Sequence, residues 1–290
     1  MALRLAEQTG GVIVNADASQ VYADLAILSA RPGVADLARV PHRLFGHVDG
    51  LEAFSAARWA DEARAEIVAA NKAGQLPILT GGTGLYLDTL LHGIAPIPEI
   101  DPAIRDAIRA MPVTETYAAL GREDPEAAAR LNAGDTARVA RALEVVRSTG
   151  HPLTHWHRQR VGGIAGTVSI HAGVVMRPKE ELAQRAERRL DVMLSGGAFE
   201  EVAALVARNL PADRPVLRAL GVREIAAVLA GTIDLAEARA AILKQTLAYQ
   251  KRQLTWARGR QAGWATIDPE LDIDLNNLAM LDDALKDMIP

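Results

Sequence analysis

The chain has 290 residues, 49% of them hydrophobic and 23% charged, with a formal net charge of -4. That length suits one large domain or two modest ones. Cysteine is absent, which excludes disulfides and thiolate metal sites, and no apolar run approaches the roughly 18 residues of a membrane span.

Residues 2–8, ALRLAEQ, carry a short helical pattern that Thr9-Gly10-Gly11 should end. VIVNAD at 12–17 is an apolar, β-branched run of the kind expected for a strand buried on both faces. A helix with Ala, Ile and Val on one face is expected over roughly 55–72, and a second strand, PILTGG, over 77–82. A third run, SIHAGVVM at 169–176, reads as another strand. Strands separated by helices imply a parallel sheet with helices on its faces. Ligands of such sheets sit beyond the carboxyl ends of the strands, where Asp17 and Thr83 both stand.

From the Pro-rich turn PIPEIDP to about residue 160 the patterns are helical, with no convincing strand. We therefore expect an α/β core over 1–96 and 161–290, with a helical insertion over 97–160. After Met176 the chain reads as helical nearly to its end, and beyond about Asp268 as an acidic tail with one short helix. The first residues lack a basic segment followed by an apolar stretch, so no secretory leader is expected and a cytoplasmic protein fits.

Charge is unevenly spread. KRQLTWARGR at 251–260 carries four positive charges and no acid. Arg138, Arg141, Arg147, Arg158 and Arg160 lie in a stretch with Glu144 as its one acid. Such local patches let an acidic protein bind a polyanion.

Four constellations could carry chemistry. Asp17, at the end of a buried strand, suits a general base or a metal ligand, and equally a turn or helix cap. Gly81-Gly82-Thr83-Gly84 could bring backbone N–H groups and a hydroxyl to a phosphate, or simply make a tight turn. Lys251, Arg252, Gln253, Trp256 and Arg258 on a late helix could hold a nucleotide, or be a solvated basic face. His151, His155 and His157 are close in sequence, but no HExxH and no matching carboxylate accompany them, so they read as surface or interface residues.

Taken together the pieces say more. NADASQVY, SARP, PHRLFGHVD, AFSAARW, LPILTGGTGLYL, GDTARVARALEVVRSTG, RALGVREI and KRQLTWARGR stand in the order and at the separations of the tRNA dimethylallyltransferase family. The resemblance covers roughly residues 2–265. It implies a P-loop-NTPase-like α/β fold, and transfer of a dimethylallyl group from dimethylallyl diphosphate to N6 of adenosine 37, beside the tRNA anticodon. Magnesium assists in that family by screening the departing charge. By resemblance Asp17 is the general base and Thr83 donates to the diphosphate. The implied partners are a tRNA anticodon stem-loop and dimethylallyl diphosphate, with no membrane, for a monomer. The family's tRNA contacts fall on Asp17, Ala18, Ser19, Gln20, Thr83 and Arg105. Others fall on Ala137, Arg138, Val139, Ala140 and Arg141. The remainder fall on Ala219, Leu220, Gly221, Val222, Arg223 and Glu224, and on Lys251, Arg252, Gln253, Leu254, Thr255, Trp256, Ala257 and Arg258.

The sequence departs from the family at several points. Ala18 replaces a usual Ser, Leu28-Ser29-Ala30-Arg31-Pro32 a usual Gly-Thr-Ala-Lys-Pro, Val222 an aromatic and Leu247 an Arg. The family's G-x-x-x-x-G-K-[ST] loop, which cradles the diphosphate, belongs immediately before the first helix and does not occur in these residues. The strand that would precede it is likewise not found. On this reading the start is misplaced or the protein truncated. The alternatives are a catalytically silent tRNA-binding remnant, or an isopentenyltransferase acting on free adenine nucleotides.

Overall fold

The computed structural model describes residues 1–268, and the acidic tail expected beyond them lies outside the described residues. Helix α1 (Ala2–Thr9) ends at Gly10, which takes the left-handed φ of 65° that a glycine adopts without steric cost. Strand β1 (Val12–Asn15) follows, buried at every residue. A short helix α2 (Val34–Leu37) and a two-residue strand β2 (His42–Arg43) come next. Helix α3 (Ala56–Lys72) starts where the Ser55 side chain accepts from the Arg58 N–H. Strand β3 (Pro77–Thr80) then leads through the Gly81–Gly84 turn into α4 (Gly84–His92).

The three strands are parallel in the order β2-β1-β3, with β1 central. Burial of β1 explains its composition, because a central parallel strand is covered on both faces. Ile13 packs with Ala6 of α1, Val40 and Ile78. Trp59 of α3 is fully buried, and its indole N–H donates to the Asn15 carbonyl at 2.8 Å. That bond ties α3 to the carboxyl end of β1, and its net worth is about 1 kcal/mol.

Two units make up the chain: Met1–Leu87 with Ile170–Pro290, and Asp88–Ser169. The second unit is helical, with α5 (Pro102–Ala110), α6 (Val113–Glu123), α7 (Pro125–Arg130), α8 (Thr136–Thr149) and α9 (Leu153–His157). Asp101, Asp124 and Asp135 cap α5, α7 and α8 through their side chains. The core of this unit gathers Ile108, Leu120, Val139 and Leu143 from α5, α6 and α8. Glu144 is buried in it, held by Arg109 at 3.0 Å and Arg141 at 3.7 Å. The pairing answers the cost of burying a lone carboxylate.

The first unit resumes with β4 (Gly173–Val175), α10 (Lys179–Ser195) and α11 (Ala198–Ala207). Next come α12 (Val222–Leu229), the 26-residue α13 (Leu235–Arg260) and β5 (Ala265–Ile267). Helix α13 opens with a reciprocal capping box between Asp234 and Glu237. Strand β4 pairs in parallel with β5 as a separate two-stranded sheet. The run at 169–176 therefore does not join β1 and β3, as its composition suggested. Its apolar residues include Ile170 and Val175, which are 41% and 50% exposed, and an inner parallel strand would bury them.

Candidate functional site

The carboxyl end of β1 is where the site is built. Beyond Asn15 the chain turns, and the turn is stabilised from within. The Asn15 amide donates to the Asp17 and Leu44 carbonyls, each at 3.0 Å, while its Oδ1 accepts from the Asp17 N–H at 2.8 Å. Asp17 Oδ1 in turn accepts from the N–H groups of Ser19 at 2.8 Å and Gln20 at 3.4 Å. One carboxylate oxygen, Oδ1, thus closes a turn as a cap would. Burial pushes the Asp17 carboxyl above its ordinary range, against the Ser19 and Gln20 N–H groups and the Arg189 guanidinium, which favour the ionised form. A raised pKa brings a carboxylate nearer to the strength of a useful base at neutral pH.

The Gly81–Gly84 turn is locked onto this strand end. The Ala16 N–H donates to the Thr80 carbonyl at 2.8 Å, and the Thr83 N–H to the Ala16 carbonyl at 3.1 Å. The Ala18 N–H donates to Thr83 Oγ1 at 2.9 Å, so Thr83 and Asp17 hold a fixed relation. Three glycines here answer to protein neighbours. A Cβ at Gly81 would stand 2.2 Å from the Ala16 carbonyl carbon, at Gly82 2.0 Å from Gln253 Nε2, and at Gly84 2.2 Å from Trp256 Nε1.

Helix α13 supplies the neighbours of Gly82 and Gly84. Gln253 and Trp256 are three residues apart and share a face. That face lies on the turn, and Gln253 Nε2 donates to the Gly82 carbonyl at 3.1 Å. Lys251, Arg252, Thr255 and Arg258 are exposed, and Leu254 and Ala257 half-buried. Sequence reasoning missed Tyr249. Burial and the Asp17 charge raise its phenol pKa, and hydrogen bonds to Thr83 and Gln253 join it to the turn.

Sequence reasoning also missed a basic cleft. Arg185, Arg188 and Arg189 of α10 share one helix face at spacings of three and four. With Leu182, Ala186 and Gln250 they line an open cleft of about 470 Å³. Arg188 and Arg189 have no carboxylate within ion-pair distance among the described residues, and Arg189 acts on Asp17 electrostatically. Glu180, Glu181 and Glu187 dilute this signal in the linear sequence, because the facing of the helix is not visible there.

The remaining expected residues are distributed as follows. Gly221, with φ 92°, precedes α12; Val222 is buried, Ala219 and Leu220 half-buried, and Arg223 exposed. Glu224 accepts from Gln245 of α13 at 2.5 Å. In the helical unit, Arg105 lies on α5, while Ala137 and Arg138 are exposed on α8. Val139 is in that unit's core, Ala140 packs against it, and Arg141 pairs with Glu144. His151 and His155 stack at 4.4 Å beside Trp156. No group of three His, Asp or Glu residues able to hold a metal occurs among the described residues. No helix among them is long and apolar enough to cross a membrane.

Residues 20–260 match the model of the IPP transferase family. The chain is 56% identical over 283 residues to the tRNA dimethylallyltransferase of Sphingopyxis alaskensis, covering 97% of this chain and 92% of that one. It is 51% identical over 262 residues to the tRNA dimethylallyltransferase of Zymomonas mobilis, covering 89% and 83%. Its fold is similar to the crystal structure of the full-length tRNA isopentenylpyrophosphate transferase of Bacillus halodurans. The TM-score is 0.67 at 28% identity, over 98% of this chain and 90% of that one. With strand-end carboxylate, glycine turn and late basic helix in place, the chain belongs to the IPP transferase family, among the tRNA dimethylallyltransferases.

Proposed function

We propose that the protein transfers a dimethylallyl group from dimethylallyl diphosphate to the exocyclic N6 of an adenosine beside the tRNA anticodon. The observation that carries this reading is the placement of Asp17. A buried carboxylate with one oxygen unused by the turn stands beside a fixed hydroxyl, Thr83, and within electrostatic reach of an arginine cleft.

On this reading the site performs a single displacement. The N6 lone pair forms a bond to the first carbon of the allyl group while the bond from that carbon to the diphosphate oxygen breaks. The proton lost by N6 goes to Asp17. The electron pair leaves with the diphosphate, whose negative charge is met by Arg185, Arg188 and Arg189. Thr83 Oγ1 accepts from the Ala18 N–H and is hydrogen-bonded to Tyr249, so its hydroxyl would reach the bridging oxygen in exchange for the Tyr249 bond. The adenine has to leave the anticodon stack to reach a buried base. On this reading Ala18, Ser19 and Gln20 meet the flipped nucleotide. The segments 219–224 and 251–258, with Arg105 and the 137–141 segment of the helical insertion, meet the stem-loop. Among the described residues no group of three His, Asp or Glu stands ready to hold a metal, and magnesium bound with the substrate would screen the charge of the leaving group.

The test is direct. The protein is incubated with dimethylallyl diphosphate and an anticodon stem-loop, the RNA is digested, and the nucleosides are weighed. A gain of one C5H8 unit on adenosine is expected. Transfer to free adenine nucleotides and not to the stem-loop would overturn the proposal.

A further inference from the structure

We propose that Glu201 is a positioning residue for the RNA side of this site, acting through the loop that seats Gln20. The inference rests on the transferase reading above, and on a set of contacts the reaction itself does not use.

Glu201 lies in the first turn of α11. Its Oε1 accepts from the backbone N–H groups of Ala26 at 2.5 Å and Ile27 at 2.9 Å, and its Oε2 from that of Leu28 at 3.0 Å. Three successive amides converging on one carboxylate form an anion nest, filled by a residue of the same chain. Bonds to an ionised acceptor are stronger than neutral ones. The nest is seated on apolar ground. Leu25 is fully buried, the Ile27 side chain approaches Gly197, and that of Leu28 approaches Gly221.

The loop then folds back on itself. The Ala30 N–H donates to Ile27 O at 2.9 Å and the Arg31 N–H to Ala26 O at 3.0 Å. Ala30 sits at φ 53°, a left-handed conformation that alanine adopts only where surrounding structure enforces it. Its result is a pair of carbonyls, Ser29 and Ala30, aimed at one point. The Gln20 amide donates to both, at 2.9 and 3.1 Å. The Gln20 backbone is fixed too, since its N–H faces Asp17 Oδ1 at 3.4 Å and its carbonyl accepts from Gly46 at 2.8 Å. The carboxylate on α11 thus sets the loop, the loop seats Gln20, and Gln20 borders the turn that holds Asp17. The arginine cleft of α10 has no part in this chain of contacts.

That separation gives the test. Glu201→Gln places an amide where only an acceptor fits, so one of the three N–H groups loses its partner. Stem-loop kcat/KM should fall roughly tenfold to a hundredfold, the range of a positioning error of about 1 Å, with KM for dimethylallyl diphosphate unchanged. Gln20→Ala should show the same split, and the double variant should be little worse than either single one. Equal damage to both substrates, or strictly additive effects, would make Glu201 a fold element only and overturn the proposal. Should Glu201→Gln not fold, Gln20→Ala decides alone, and unchanged stem-loop kinetics would refute the idea. The wild-type protein separates this claim from the proposed function. If it binds stem-loop without transferring, the function is wrong, and the same comparison is read in Kd. If it does neither, both fail.

Discussion

Gly81→Ala has a consequence that the packing of the turn defines closely. The added methyl would sit 2.2 Å from the Ala16 carbonyl carbon, 2.3 Å from its oxygen and 2.7 Å from the Asp17 nitrogen. Carbon atoms rest at roughly 3.5 Å, so the turn and the strand end must separate by more than ~1 Å. All three clashing atoms are backbone, so no side chain can swing aside. Such a shift breaks the bond from Thr83 N–H to Ala16 O and that from Ala18 N–H to Thr83 Oγ1. Two bonds at about 1 kcal/mol each, with overpacking at about 1–3 kcal/mol, give a loss of ~3–5 kcal/mol. Because these two bonds fix Thr83 relative to Asp17, transfer should slow by about a hundredfold or more even where the protein stays folded. Denaturant unfolding gives the first number and single-turnover transfer the second. Wild-type stability with a wild-type rate would show that the turn does not register the site, and the reasoning would fail.

Three further outcomes are expected. Asp17→Asn should slow transfer by about 10²–10⁴-fold while stem-loop affinity is kept, and wild-type transfer should fall on the acid side with a midpoint above the ordinary Asp value of 3.8. Because burial raises the folded-state pKa of Asp17, its contribution to stability is fully present below the unfolded value and is lost as pH rises through the folded one; Asp17→Asn should therefore be the more stable protein at neutral pH, as melting across a pH series will show. Replacing Arg188 and Arg189 by Ala should raise KM for dimethylallyl diphosphate about tenfold or more and leave stem-loop Kd near wild type, since charge-assisted bonds to phosphate are lost. Arg138→Ala should reduce the salt dependence of stem-loop binding by about one phosphate contact, whereas Arg141→Ala should also destabilise the helical unit, because buried Glu144 loses one of its two partners; a salt titration with thermal melts separates the two.

Much of the frame was legible in the residues. Thr9-Gly10 marked the end of α1, Ser55 the start of α3, and the β-branched run the buried strand β1, because each is a short-range signal with a local cause. Strand β2 was not legible: two residues, His42 and Arg43, carry no pattern, and only their pairing with β1 makes them a strand. The run at 169–176 misled for the converse reason. Its composition is that of a strand, but composition does not say which sheet a strand joins.

The site divides along the same line. Asp17 and Thr83 announced themselves by standing at strand ends. The glycine turn announced itself too, with a phosphate approach and a tight turn both open. Its glycines looked like an approach for phosphate, yet Ala16, Gln253 and Trp256 already fill the space a side chain would need at three of them. Close packing, with no ligand present, is sufficient to require glycine there. The arginines that we propose meet the phosphate look, in sequence, like the solvated face of a helix. Arg185, Arg188 and Arg189 share α10 with Glu180, Glu181 and Glu187, and only the fold shows that Arg185 stays 3.9 Å from Glu181 while Arg188 and Arg189 have no carboxylate within ion-pair distance among the described residues. Glu201 is further from legibility still, because its partners are 173 to 175 residues away. A residue whose role is to hold backbone has no local motif: any loop amide will serve, so nothing in the loop's side chains records the contact. The positions to which we assign chemistry could therefore be read from type and place. The positions that hold their backbone become visible only when the chain is folded.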